Sequence, residues 1–309
     1  MSFVANSIVI PLIDAELRYL DSIELGPGVS VIRLSPQYRQ RLQDDKVLVG
    51  GYKSSLDRLS TGVSLKPLIS FQDKHFSLKD LLSLAIFLSF TLRLATEIPF
   101  DIPFWFDVSE ENKILGIGRT SIRTYRSLPR YSYPLDEGLT YDRIKSFLSH
   151  SLPLIERYIK FHVSDQIIKA IEFAAIGFQT YHIPLRLVNQ VMFMEILFSS
   201  DIQELSFQLA SRISWYLAHS HSPEKREEIF NTIKEIYGMR SKVVHGKNPK
   251  SLQMRQALEK SESFNSEIFQ EILRRNHIEL FSAKNREDHL KKLSLGLPCD
   301  YMKNFQLVN

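Results

Sequence analysis

The sequence predicts an α+β chain in two parts: a mixed α/β domain over residues 1–139, then an all-helical domain over 140–309. Three observations predict it. Short β-branched runs broken by turn residues fill the first part. Apolar residues recur at helical spacing through the second, where strand signals almost vanish. A length of 309 residues suffices for two ordinary domains.

In the first part, residues 3–12 are apolar and β-branched and read as a strand. Gly26-Pro27-Gly28 is a turn signal between Ile23 and the alternating Val29, Val31 and Leu34. Residues 46–49 and 68–71 are further strand candidates. Ser77 stands as an N-cap before a long apolar helix over 78–96. Residues 103–108 and 113–124 flank the polar Ser109-Glu110-Glu111-Asn112, which predicts a hairpin. Residues 127–138 carry prolines and tyrosines without periodicity and form the linker region.

Beyond Leu139 the periodicity predicts helices over 141–160, 165–179, 186–198, 202–219, 223–244, 262–277 and 286–293. Pro223 behind Ser222 and before Glu224 marks a helix start, and Gly246 after His245 a helix stop.

Composition excludes several classes. A hydrophobic content of 44% with 24% charged residues supplies a core and argues against disorder. The formal charge of +4 permits contact with a polyanion without requiring one. The single cysteine, Cys299, allows no internal disulfide. Residues 1–14 lack a basic n-region, so no signal peptide is expected. Residues 81–92 are apolar but interrupted by serines, closed by Arg93, and shorter than the ~20 residues of a membrane span. The expectation is a cytoplasmic protein without membrane contact.

Three charges interrupt apolar helix faces. Glu195 sits within Val191-Met192-Phe193-Met194-Glu195-Ile196-Leu197-Phe198. Arg212 lies on the stripe Leu205, Leu209, Arg212, Tyr216, and Arg240 on Ile229, Ile233, Ile236, Arg240, Val243. An unpaired buried charge costs several kcal/mol. Pairing Glu195 with Arg212, with Arg240 or with both removes that cost. The plainer reading is that each snorkels or sits at an interface.

The segment Tyr237-Gly238-Met239-Arg240-Ser241-Lys242-Val243-Val244-His245-Gly246 places an arginine, four residues and a histidine in line. With Met194-Glu195-Ile196-Leu197 and Glu204-Leu205-Ser206-Phe207-Gln208-Leu209-Ala210-Ser211-Arg212 upstream, it resembles the ApeA-like branch of the HEPN superfamily over roughly residues 165–295. That family's signature is R-x(4–6)-H near the end of a helical bundle. Ser241 departs from the Asn, Asp or His that many HEPN toxins carry after the arginine. The resemblance implies an all-α HEPN bundle and a homodimer with two such motifs facing across a two-fold axis. It further implies metal-independent endoribonuclease activity that leaves a 2′,3′-cyclic phosphate, in a toxin or phage-defence effector. Arg240 and His245 are then catalytic, with Glu195, Arg212, Ser241 and Tyr237 in support, and Lys242 and Lys247 binding RNA.

The residue types suit that chemistry. Histidine titrates near neutrality and moves protons. Arginine grips phosphate oxygens with a planar fork. RNA supplies its own 2′-hydroxyl nucleophile, so no metal or cofactor is expected. Residues five apart on an ideal helix diverge by about 140°, so Arg240 and His245 do not aim at one phosphate from one regular helix. Either the last turn is distorted before Gly246, or two chains share a wide cleft.

Other signals are weaker. His219 and His221 form H-x-H without further ligands at suitable spacing. Gly116-Ile117-Gly118 falls in a hairpin rather than before a helix. Phe104-Trp105-Phe106 is aromatic enough to stack a base, but alternation in a strand accounts for it more simply. Arg274-Arg275 is a nucleic-acid contact or a basic helix face. A non-catalytic HEPN module binding RNA, a nucleotide or a partner protein is the competing expectation, and a structural dimeriser the third. The N-terminal domain is expected to sense or regulate through a ligand or protein.

Overall fold

The structure is a computed structural model. It describes residues 7–12, 15–16, 19–20, 22–26, 29–44, 61–65, 78–96, 102–109, 113–122, 133–134, 154–155, 157–158, 165–200, 204–247, 249–281 and 286–297. The chain divides into two compact units, Met1–Ile155 and Glu156–Asn309. The sequence puts that boundary at 139/140. Residues 135–153, which span the difference, lie outside the described residues.

In the first unit the strands are β1 (Ser7–Leu12), β2 (Ala15–Glu16), β3 (Ser22–Gly26), β4 (Val29–Arg33), β5 (Thr61–Leu65), β6 (Ile102–Val108), β7 (Ile114–Ile122) and β8 (Tyr133–Pro134). The helices are α1 (Pro36–Asp44) and α2 (Leu78–Thr96). Six strands form one sheet in the order β3-β4-β5-β1-β6-β7, antiparallel at every pairing, and β2 pairs with β8 separately. Val9 of β1 faces Ser64 on one side and Phe106 on the other. The hairpin expected from the polar 109–112 segment is the β6–β7 pair, and Gly116 and Gly118 lie inside β7. Phe106 is buried, Trp105 is half-buried, and Tyr38 of α1 meets the Phe106 ring edge-on at 4.9 Å.

The α2 helix explains its own composition. Its side chains from Leu84 to Ala95 are buried almost throughout. Ser89, Thr91 and Thr96 donate their hydroxyls to carbonyls within the helix, which satisfies them without water. No helix among the described residues is long and apolar enough to cross a membrane. The sequence did not single out α1 or β5. The strand candidates at 46–49 and 68–71, and the Ser77 cap, lie outside the described residues.

Among the described residues, the second unit is wholly helical: α3 (Gln166–Gln179), α4 (Ile183–Phe198), α5 (Leu205–Ala218), α6 (Pro223–Val244), α7 (Ser251–Arg274), a 3-10 turn (Ile278–Phe281) and α8 (Arg286–Ser294). The α6 range is that predicted. The α7 helix begins eleven residues before the predicted 262, because good helix formers such as Gln253, Gln256 and Glu259 extend it on propensity while few of its early side chains are buried. The helix expected over 141–160 lies mostly outside the described residues.

Packing follows from α4. It touches α3, α5, α6 and α7, and a helix apolar around its circumference requires such enclosure. A polar knot secures α3, α4 and α7: the Asn265 amide donates to the Gln190 carbonyl at 2.9 Å and to Gln190 Oε1 at 2.7 Å, while Gln190 Nε2 donates to the Ala174 carbonyl at 3.3 Å. Gly177 gives the Gln190 amide its space. Arg186 Nε, buried at the start of α4, donates to Glu262 at 2.6 Å.

Candidate functional site

The site is built around α6. Ser222 caps its start by accepting from Lys225 N–H, and Pro223 occupies the first turn. Ile229, Ile233 and Ile236 form its buried stripe. The same stripe carried one turn further reaches Arg240, which is where the apolar pattern breaks.

Arg240 meets Glu195 of α4. Its Nη2 lies 3.3 Å from Glu195 Oε2 and 3.9 Å from the Met192 sulfur, and its guanidinium is 5.6 Å from the centre of the Tyr237 ring. The Glu195 side chain is 9% exposed and that of Arg240 19%, so the pair sits at the edge of the core. Burial pushes the Glu195 carboxyl above the usual range, and the Arg240 charge opposes the rise. Burial likewise raises the Tyr237 phenol, with the Glu195 charge adding to it and Arg240 opposing. Glu195 Oε1 and Arg240 Nε have no hydrogen-bond partner among the described residues. Of the two pairings the sequence offers Glu195, this is the one formed.

Arg212 is engaged elsewhere. Its Nε donates to Ser294 Oγ at 2.8 Å, Nη1 to the Phe198 carbonyl at 2.7 Å and Nη2 to Ser200 Oγ at 3.0 Å. Its place among the supporting residues is therefore structural: it fastens α8 and α5 to the C-terminal end of α4, where helix carbonyls lack partners. Arg286 of α8 also donates to carbonyls there, those of Ile196 and Ser199. The sequence alone does not single out Met192, Ser200, Arg286 or Ser294. Only the apposition of helices brings them to these arginines.

The α6 helix ends as its sequence predicts. Gly246 adopts φ +70°, its N–H donates to the Val243 carbonyl, and Lys247 N–H donates to the Lys242 carbonyl at 2.9 Å. His245 is the C-cap residue, with its N–H on the Ser241 carbonyl and its side chain exposed. The helix stays regular through Val244, so the last turn is not distorted to swing Arg240 toward His245.

The predicted residues thus separate into groups. Glu195, Arg240 and Tyr237 are together. Ser241 is half-buried and His245 and Lys247 are exposed, on or just beyond the last turn of α6. Lys242 lines a groove between α6 and α7, on a different face from Arg240. His219 and His221 follow α5 on an exposed turn, and no cluster of three metal-ligating side chains forms among the described residues. Chemically the arrangement offers a restrained guanidinium with free donor capacity and a solvent-facing imidazole, held on one rigid helix. Neither a family model, nor a curated protein, nor a solved structure matches the chain.

Proposed function

We propose that the protein is a metal-independent HEPN-type endoribonuclease acting as a homodimer, in the role of a toxin or phage-defence effector. The reading rests on one observation: Glu195 anchors Arg240 by one nitrogen while the same helix ends on the exposed His245. The carboxylate occupies Nη2, and Nη1 donates to no described residue, so the cation is aimed and keeps a donor for a phosphate oxygen.

In this chemistry a neutral His245 imidazole takes the proton of an RNA 2′-hydroxyl. The 2′-oxygen attacks the adjacent phosphorus, and Arg240 stabilises the more negative phosphorane. The 5′-oxygen leaves with a proton from a protonated imidazole of the second copy. The products are a 2′,3′-cyclic phosphate and a 5′-hydroxyl.

A second copy also answers the geometry, because one regular helix diverges its Arg240 and His245 side chains. Phe230, Tyr237 and Val244 repeat at seven-residue spacing on α6, beside Phe207 of α5, whose ring meets Phe230 at 5.6 Å. Val244 is 52% and Phe207 55% exposed, an apolar margin that suits a two-fold contact beside Arg240.

The test is cleavage of an RNA panel by the purified protein, with sequencing of cyclic-phosphate ends after controlled expression. Arg240→Ala and His245→Ala each remove activity at least ~100-fold if these groups act in the transition state. Equal cleavage by wild type and both variants would refute the catalytic role. A strict monomer at high concentration counts against the shared cleft. The divergence of Arg240 and His245 on one regular helix of the single chain favours the second reading, a non-catalytic module binding RNA, a nucleotide or a protein; RNA binding without cleavage distinguishes it.

A further inference from the structure

The groove between α6 and α7 encloses about 390 Å³. Its floor is apolar, with Ile236, Met239 and Ala257, and its rim carries Gln253, Gln256, Lys242, Lys260 and Glu235. Lys260 spans the groove to Glu235 at 3.4 Å, which leaves Lys242 as the rim cation without an ion pair among the described residues. The Gln253 and Gln256 amides are exposed and make no hydrogen bond to described residues.

Gly238 shapes the cavity. It lies within α6, where glycine destabilises a helix relative to alanine. A Cβ added there would meet nothing within 4 Å, so no neighbour demands a glycine. What the missing side chain provides is open space at the groove wall.

From these features we propose that the α6–α7 groove binds a nucleotide of single-stranded RNA. The base lies on the Ile236, Met239 and Ala257 floor, its edge meets the Gln253 and Gln256 amides, and its phosphate is taken by Lys242. A carboxamide donates and accepts side by side, the pattern a base edge presents. An unpaired lysine is a phosphate contact. The Glu235 carboxylate can accept from ribose hydroxyls, which single-stranded RNA exposes together with its base edges. This deepens the ribonuclease reading by giving RNA a holding site on a different face of α6 from Arg240, and it rests on that reading only for what happens to the bound strand.

The test uses the full chain carrying His245→Ala, so that bound RNA stays intact, and the anisotropy of short 5′-labelled single-stranded RNAs of each base. Gly238→Leu fills the groove without touching Arg240 or His245, and weakens binding at least ~tenfold, the scale of losing one good base contact. Lys242→Ala weakens binding for every base and lowers the salt dependence by about one phosphate contact. Lys225→Ala, at the N-terminal end of α6 away from Lys242, leaves affinity unchanged. Circular-dichroism melts confirm that each variant folds. Absence of RNA binding by the His245→Ala chain overturns the proposal, as does binding that Gly238→Leu and Lys242→Ala leave intact. In the latter case RNA sits elsewhere and the ribonuclease reading survives. Groove-dependent binding by a wild-type protein that cleaves no RNA supports the groove and overturns the ribonuclease reading. Capture of a protein, with no RNA affinity, also overturns the groove proposal.

Discussion

Arg240 of α6 and Glu195 of α4 face each other at 3.3 Å, forty-five residues apart in sequence and both largely withdrawn from water. The pair couples the one carboxylate inside the central helix to the one arginine that ends the α6 apolar stripe. Removing the cation strands a buried charge. Arg240→Ala therefore lowers stability by about 3 kcal/mol near neutral pH, whereas Glu195→Gln, which removes both the charge and its burial cost, lowers it by less. The Glu195 carboxyl is already raised by burial and rises further without Arg240. A folded-state value above the unfolded one means that protonation relieves the native state as pH falls through it. The Arg240→Ala penalty accordingly shrinks toward acid pH, which urea denaturation at two pH values measures.

Arg212 gives a contrasting outcome. Its three hydrogen bonds go to Ser294, Phe198 and Ser200, and none to Glu195. A lysine carries the charge but cannot reproduce the planar fork. Arg212→Lys is expected to cost about 2 kcal/mol, because more than one charged hydrogen bond is lost at a buried site. Its effect adds to that of Arg240→Ala without coupling, and a double-mutant cycle in chemical denaturation checks this.

Two buried histidines set an acid limit on the helical unit. His277 is pushed down to about 3 by burial, with the Arg275 and His289 charges adding to it, and His289 to about 4 by burial and then Lys292. They lie with Tyr216 and Phe281 in one aromatic cluster, the Tyr216 hydroxyl 3.3 Å from His277 Nδ1. Both folded values fall below the ordinary value near 6.5, so the unfolded chain binds protons first. Stability is full above that pH and declines as pH falls toward 4, by up to about 1.4 kcal/mol per pH unit for each histidine. His289→Leu is expected to flatten the decline by about one proton in a pH series of urea midpoints. An unchanged slope would show that His289 is not kept neutral.

Three glycines give opposite signs under the same substitution. At Gly177 an added Cβ would stand 2.6 Å from Gln190 Nε2, and that amide is fixed by Asn265 and Ala174. Gly177→Ala is expected to cost roughly 1–3 kcal/mol. At Gly238 nothing lies within 4 Å, and alanine is expected to stabilise by roughly 0.5–1 kcal/mol. Gly246 holds φ +70° at the helix cap, where alanine costs about 1 kcal/mol of left-handed strain. Thermal melts of the three single variants read the order directly.

Much of the helical unit was legible from local rules. Ser222-Pro223 and Gly246 fix both ends of α6 because capping depends on neighbours within one turn. The apolar stripe through Ile229, Ile233 and Ile236 identifies its buried face because side-chain direction follows helical period. The enclosure of α4 follows from its apolar circumference, and that circumference already marks Glu195 as a residue in need of a partner. The early turns of α7 escaped because propensity, not burial, carries them. In the first unit, β5 escaped because Thr61–Leu65 owes its form to the strands on either side of it, and α1 because Pro36–Asp44 is polar almost throughout and shows no apolar stripe.

The sequence by itself determined which residues carry unusual charge and where α6 begins and ends, since those properties are set within a few residues. Only the tertiary structure decided that Glu195 takes Arg240 while Arg212 caps α4. It alone also opened the groove beside Gly238. Both outcomes depend on which helix faces lie against each other. That choice is made by the packing of the whole bundle, to which a single helix's periodicity contributes one side.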